Sequence, residues 1–228
     1  MFRLDGKKAL VVGVANEHSI AWGVAKALRE AGADLAITYL NARAEPHVRP
    51  MAEAVEAELI LPLDVSDHAA EAAVFEAIAE RWGRLDVLVH SIAFAPRDDL
   101  HGRVADASSD GFSLAMDVSV HSFLRLVRRA EPLMVEGGAC LTMSFYGAEK
   151  VVSTYNMMGP VKAALEAATR ELASELGPKN ITVNTLSPGT MATRAASGLA
   201  DFEEMMAESV ARSPLRRLAT IDDVGAAA

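Results

Sequence analysis

The sequence predicts an α/β fold: a Rossmann-like, doubly wound parallel sheet with helices on both faces, in a single domain spanning residues 1–228. Three observations carry this. Short apolar runs alternate with longer helical patterns along the whole chain. The runs are near-continuous hydrophobics without polar alternation, the mark of parallel strands covered on both faces. The first run ends in a glycine turn that leads into a helix, as in a dinucleotide-binding βα unit.

Ala9–Val12 is the first strand, closed by Gly13, and a helical pattern covers 19–31. Asp34–Tyr39 and Leu59–Leu63 are the second and third strands, separated by a helix over 46–57. A helix over 67–82 leads to the fourth strand, Leu85–Ser91, and a long helix over 110–135 leads to the fifth, Ala139–Ser144. A helix over 155–176 precedes the sixth strand, Ile181–Ser187, and a further helical stretch lies near 200–212. Connections are short and no composition shift marks a second domain. Ile221-Asp222-Asp223-Val224-Gly225 opens one more helix. A sheet of this kind continues from such a helix into another strand, so a C-terminal strand is expected to be missing beyond Ala228.

Bulk properties narrow the function. The chain has 228 residues, 51% hydrophobic but only 5% aromatic, which gives an aliphatic core. Its 22 basic and 31 acidic residues give a net charge of −9, which argues against nucleic acid or an anionic membrane as partner. One cysteine, Cys140, lies in an apolar run and reads as an inert core thiol in a reducing compartment. Met1–Lys8 is polar and charged with no signal-peptide h-region after it, and no apolar run approaches the roughly 18 residues of a membrane span. The expectation is a cytoplasmic protein. Six histidines show no metal spacing, and no metal site is expected.

Ligands of open parallel sheets bind outside the carboxyl ends of the strands, where Gly13, Asp64, Ile92, Ser144 and Pro188 fall. Gly13 permits a tight turn, and Ser19 reads as the N-cap of a helix whose N-terminus suits a pyrophosphate. The loop lacks the middle glycine of the Gly-x-Gly-x-x-Gly fingerprint, so alone it also fits a plain βα turn. Leu63-Asp64-Val65 lies where an adenine would sit, and the small residues of His90-Ser91-Ile92-Ala93-Phe94-Ala95 allow close passage to a nicotinamide ribose. Tyr155 and Lys162 are seven residues apart, two turns of about 3.6 residues, which puts both on one helix face roughly 10 Å apart. The lysine can grip a cofactor sugar and lower the tyrosine's pKa, while the tyrosine donates to a carbonyl oxygen. Taken bare, the pair also fits an ordinary amphipathic helix with a buried tyrosine and a lysine stem lying along apolar surface. Pro160 puts the start of that helix near Asn156 or Met157.

These stretches together resemble the short-chain dehydrogenase/reductase superfamily, and more closely its bacterial enoyl-[acyl-carrier-protein] reductase branch. The matching residues are Gly13 through Ser19-Ile20-Ala21, Asp64-Val65, His90 to Pro96, Tyr155-Asn156-Met157-Met158-Gly159 to Lys162, and Ala195-Ala196-Ser197-Gly198. Most of the superfamily spaces its pair as Tyr-x3-Lys; the longer interval here is characteristic of the enoyl reductase branch. The resemblance implies NAD(P)H-dependent reduction of the trans-2 double bond of an enoyl thioester in fatty acid biosynthesis, with NADH the cofactor and NADPH open. It implies that Tyr155 and Lys162 are catalytic. Gly13, Ser19, Ile20, Asp64, Val65, Ile92, Lys162, Thr190, Met191 and Thr193 would bind the dinucleotide. Phe94, Ala95, Phe145, Tyr146, Met158, Ala195, Leu199 and Phe202 would contact the substrate, under a lid at about 190–212. A homotetramer is implied, with acyl carrier protein the expected substrate carrier.

The chain departs from that pattern in places. Phe145 stands where many relatives have a second tyrosine, and Tyr146 follows it, pointing the opposite way along the strand exit. The lid carries Asp201-Phe202-Glu203-Glu204, which would repel an acidic carrier; Arg97, Arg103 and Arg194 are candidates for a basic rim. The second strand ends without a carboxylate for a ribose hydroxyl, and Arg43 nearby suits a 2′-phosphate or stands solvated at a helix start. His90 reads as structural. Two other readings stay open: a carbonyl reductase or alcohol dehydrogenase of the same superfamily, and a cofactor-binding but inactive scaffold.

Overall fold

The computed structural model describes residues 3–153, 155–193 and 201–228. Six strands form one all-parallel sheet: β1 (Lys8–Val12), β2 (Asp34–Tyr39), β3 (Leu59–Pro62), β4 (Val87–His90), β5 (Gly138–Met143) and β6 (Ile181–Leu186), in the order β3-β2-β1-β4-β5-β6. The helices are α1 (Ile20–Glu30), α2 (Glu45–Ala54), α3 (His68–Trp82), α4 (Arg97–Leu100), α5 (Ser109–Met116), α6 (Ser122–Ala130), α7 (Met158–Leu176), α8 (Phe202–Arg212) and α9 (Ile221–Ala227). The expected fold class holds. Strand order reverses between β1 and β4, and that switch point is where an open parallel sheet forms its ligand crevice.

The pleat sends successive side chains to opposite faces. Leu10 and Val12 of β1 enter a core with Leu88, Phe123, Leu126 and Leu165, beneath α3, α6 and α7. Ala9 and Val11 enter the other core with Val24, Leu28, Leu35 and Ile37, beneath α1 and α2. Edge strand β6 departs from the continuous-hydrophobic expectation: Thr182 and Asn184 are exposed while Ile181 and Val183 are buried. Glycines bring α9 close onto α1. A Cβ on Gly23 would lie 2.1 Å from the Ile221 carbonyl oxygen, and one on Gly225 would lie 2.4 Å from that of Gly23.

Two helices differ from expectation. The helix expected over 110–135 is three pieces: α5, a π turn at Asp117–His121, then α6, which ends in a tight turn over Glu131–Leu133. Pro132 stops the α ladder at that end. The helix expected from 155 starts at Met158, and Asn156 takes a left-handed conformation with φ 44°. Tyr155 therefore stands in the turn before α7, and the two-turn argument for its pairing with Lys162 fails. Pro160 is the third helical residue, still within the first turn, where its missing N–H costs no bond.

Candidate active site

The βα turn at the switch point is held by a close backbone approach. Gly13 has φ 111°, and a Cβ there would lie 2.2 Å from the Ser91 carbonyl oxygen, so only glycine fits. Ser19 occupies the N-cap position but does not cap. Its hydroxyl turns back and accepts the N–H groups of Ala15 at 3.1 Å and Asn16 at 3.0 Å, which shapes the loop. The first turn of α1 has neither a side-chain cap nor an acidic residue. The N–H groups of Ile20 and Ala21 thus lack an intrahelical partner at the positive end of the helix dipole, a fit for a pyrophosphate.

β4 delivers the second wall. His90 is fully buried: its Nδ1 lies 2.9 Å from Thr142 Oγ1 and its Nε2 lies 2.8 Å from Ser122 Oγ. Ser122 donates its proton to the Val118 carbonyl, so His90 Nε2–H donates to Ser122 and Nδ1 accepts from Thr142. Burial, with Lys162 adding to it, lowers the His90 pKa to about 3, so the ring is a neutral structural strut. Ser119, buried in the π turn, accepts the Phe94 N–H at 2.9 Å and donates to the Phe94 carbonyl at 3.1 Å, which holds the Ser91–Ala95 loop against α5 and α6.

β5 and α7 supply the third wall. Lys162 is 5% exposed, and its ammonium donates to the Met143 carbonyl at 2.7 Å. An ammonium carries three donors, so two stay available toward the cleft that Lys162 lines. Burial lowers its pKa to about 8, opposed by the Glu166 carboxylate one turn on, which itself accepts from Ser144 Oγ at 2.5 Å. Tyr155 packs on Phe145 with ring centroids 4.6 Å apart and planes at 56°. Burial raises the Tyr155 pKa above its ordinary value, contrary to the expected lowering by the lysine, so the phenol is a neutral O–H donor at neutral pH.

These walls enclose a cleft of about 260 Å³. Of the residues expected to bind cofactor, Gly13, Ser19, Ile20, Ile92, Lys162, Thr190, Met191 and Thr193 line it. Of those expected at the substrate, Phe94, Ala95, Phe145 and Met158 line it, as does Tyr155. Asp64 and Val65 do not: they stand beyond β3, the Asp64 carboxylate accepting the Ser66 N–H at 2.9 Å and the Val65 side chain buried. Tyr146 lines a neighbouring cleft of about 580 Å³ with Leu215 and Arg217, and Phe145 borders both clefts. Phe202, the first residue of α8, lines neither. Arg194, Ala195 and Leu199 lie outside the described residues. Among the described residues, no group of three or more His, Cys, Asp or Glu is placed to hold a metal ion.

Residues 13–228 match the family described as Enoyl-(Acyl carrier protein) reductase. The chain belongs to this family. It is similar to the Rhizobium meliloti protein named enoyl-[acyl-carrier-protein] reductase [NADH] 1, 46% identical over 222 residues, which are 97% of this chain and 82% of that protein. The solved enoyl-(acyl-carrier-protein) reductase of Anaplasma phagocytophilum in complex with NAD has a TM-score of 0.94 at 45% identity, covering 100% of this chain and 88% of that one. The Bacillus cereus enoyl-acyl carrier protein reductase with NADP+ and indole naphthyridinone has a TM-score of 0.96 at 44% identity, covering 100% and 89%.

Sequence reading missed several residues that build the site of this family member. A Cβ on Gly147 would lie 2.4 Å from Tyr155 Cδ1, so glycine there is what admits the tyrosine ring. Asn156 donates to the Leu100 carbonyl at 2.7 Å and ties the Tyr155 turn to α4. Ser119 acts on Phe94, 25 positions away, and Glu166 on Ser144, a strand-end residue already singled out by its position, 22 positions away. Only Gly147, beside Phe145-Tyr146, carried a local signal.

Proposed function

We propose that this protein reduces the trans-2 double bond of an enoyl thioester with NADH, as an enoyl-[acyl-carrier-protein] reductase of fatty acid biosynthesis. The observation that carries the proposal is the convergence on one cleft of a neutral Tyr155 phenol, a buried Lys162 ammonium with donors to spare and the uncapped N-terminus of α1. The dinucleotide, when bound, supplies the hydride that adds to the β-carbon. Tyr155 donates its O–H to the thioester oxygen, on which negative charge develops as the double-bond electrons move toward it. Lys162, anchored on the Met143 carbonyl, would donate its remaining N–H groups to the ribose hydroxyls when the dinucleotide is bound. In that state Ile20 and its neighbours would offer N–H groups to the pyrophosphate, Thr190, Met191 and Thr193 would hold the nicotinamide end, and Asp64-Val65, outside the cleft, would meet the adenine. Phe94, Ala95, Phe145 and Met158 exclude water around the acyl chain.

The lid over 190–212, with Phe202 and Tyr146 at the acyl path, belongs to the same proposal. So does acyl carrier protein as the carrier, met by exposed Arg97 in spite of Glu203 and Glu204 in the first turn of α8. A homotetramer fits the exposure of Phe112 and Leu114 on α5, at 42% and 40%. Among the described residues no helix is long and apolar enough to cross a membrane; we place the enzyme in the cytoplasm.

The test is oxidation of NADH and NADPH with crotonyl and dodecenoyl thioesters, each on acyl carrier protein and coenzyme A, beside a ketone panel. Thioester turnover that falls about a hundredfold or more in Tyr155→Phe and Lys162→Ala is expected. Turnover of ketones alone moves the protein to the carbonyl reductases, and cofactor binding without turnover makes it a scaffold.

A further inference from the structure

The α3–α6 interface holds a buried ionic cluster that the catalytic cleft does not use. Arg125 of α6 has a side chain 11% exposed, and Glu71 of α3 is fully buried. Arg125 donates from Nε to Glu71 Oε1 at 2.8 Å, from Nη1 to Asp117 Oδ1 at 2.7 Å and from Nη2 to the Val65 carbonyl at 2.6 Å. Among the described residues Glu71 Oε2 has no hydrogen-bond partner, with Arg129 Nε 3.6 Å away. A buried ion pair contributes little net stability compared with apolar residues of the same volume, and here it leaves a carboxylate oxygen half-satisfied. What apolar residues could not do is aim a donor at Val65. A guanidinium can, because its fork is rigid and two of its arms are already held by carboxylates.

The carbonyl of Val65 and the N–H of Ser66 lie in one planar peptide unit, so fixing the oxygen fixes the N–H. That N–H is the donor that orients the Asp64 carboxylate, at 2.9 Å. The same turn is closed by the Asp67 N–H on the Asp64 carbonyl at 2.9 Å. Asp64 itself is exposed at the carboxyl end of the sheet, and the Ser66 N–H is the donor its carboxylate has among the described residues. The linkage therefore runs from Glu71 and Asp117 through Arg125 to the Val65–Ser66 peptide and out to Asp64.

We infer that Arg125, held by Glu71 and Asp117, is a positioning residue for the adenosine end of the dinucleotide, acting through the Val65–Ser66 peptide on Asp64. The inference rests on the proposed dinucleotide site. ADP-ribose, which carries the adenosine end and cannot react, is the probe, titrated calorimetrically into the full chain. Arg125→Met should weaken its binding about tenfold, the loss of one charge-assisted tie. The double variant Arg125→Met/Glu71→Gln should do the same without leaving a buried carboxylate unpaired, and it decides the matter if the single variant folds poorly. Asp64→Ala should match them. The KM for NADH should rise in parallel while kcat at saturation stays within about twofold. If Asp64→Ala weakens ADP-ribose but neither Arg125 variant does, the positioning role is wrong and the dinucleotide site stands. If Asp64→Ala has no effect, the adenosine reading of Asp64 is wrong and the inference falls with it. A fall in kcat with unchanged ADP-ribose binding marks a merely structural residue and also overturns it.

Discussion

Replacing Lys162 by methionine should stabilise the fold at neutral pH while destroying activity. The ammonium is 5% exposed, and burial brings its pKa down from 10.5 to about 8, with Glu166 opposing the shift. At about 1.4 kcal/mol per pKa unit, that gap corresponds to about 3 kcal/mol. The group is a base with a lowered folded-state pKa. Below about pH 8 it is charged in both states and the full desolvation cost applies. Between about 8 and 10.5 the unfolded chain binds the proton and the folded chain does not, so wild-type stability rises with pH through that window. Lys162→Met removes the charge, keeps an unbranched side chain, and loses the bond to the Met143 carbonyl, worth about 1 kcal/mol. Near neutral pH the variant should be more stable by roughly 2 kcal/mol, and at pH 10.5 the advantage should be gone. Urea unfolding of both proteins at one protein concentration, at about pH 7, 9 and 10.5, measures the difference, in which every other titrating group cancels. Two stability–pH curves that stay parallel within about 0.5 kcal/mol would refute the argument that this ammonium is held at a desolvation cost.

Gly147→Ala should cut kcat at least about tenfold, with only a modest fall in melting temperature, because its Cβ would sit 2.4 Å from Tyr155 Cδ1 and displace that ring. Gly13→Ala should cost about 2–4 kcal/mol in urea unfolding, since it combines φ 111° with a 2.2 Å approach to the Ser91 carbonyl oxygen. His90 has a folded pKa of about 3 against 6.5 unfolded, so the unfolded chain takes up its proton first as pH falls. It should remove about 1.4 kcal/mol of stability per pH unit below 6.5, and His90→Gln should flatten that slope in acid unfolding. Tyr155→Phe should change stability by less than about 0.5 kcal/mol while losing turnover, because the ring packing on Phe145 is retained.

The sheet was legible because burial on both faces writes itself as continuous apolar runs, as in β1, β2 and β4; the two edge strands escape that burial, β3 half-buried with Pro62 exposed and β6 with Thr182 and Asn184 exposed. The residues of the cleft were legible wherever they sit at strand ends, as Gly13 and Ile92 do. What spacing could not show was backbone phase. Tyr155 and Lys162 have helical spacing, yet a left-handed Asn156 stands between them, and only the tie from Asn156 to the Leu100 carbonyl explains it. The broken helix over 110–135 was invisible for the same reason: Ser119 and Ser122 read as ordinary helical residues until Phe94 and His90 are placed beside them. Arg125 reaches Val65 across 60 residues, a distance over which no local pattern informs.

The π turn at Asp117–His121 has a consequence for chain length. A π turn takes one residue more than an α turn over the same arc, so the helix after it keeps the phase of an unbroken helix one residue shorter. On that phase, Phe123, Leu126, Val127 and Ala130 face inward from α6, whereas Phe112 and Leu114 of α5 face out. Deleting the surplus residue of this turn would restore an unbroken α ladder and leave α6 in place, with Arg125 still at Val65 and Ser122 still at His90. What would be lost is the widened turn itself, and with it the placement of Ser119 against Phe94. A residue inserted or deleted within α6 would instead turn the rest of that helix by about 100° and drive its charged face against the sheet.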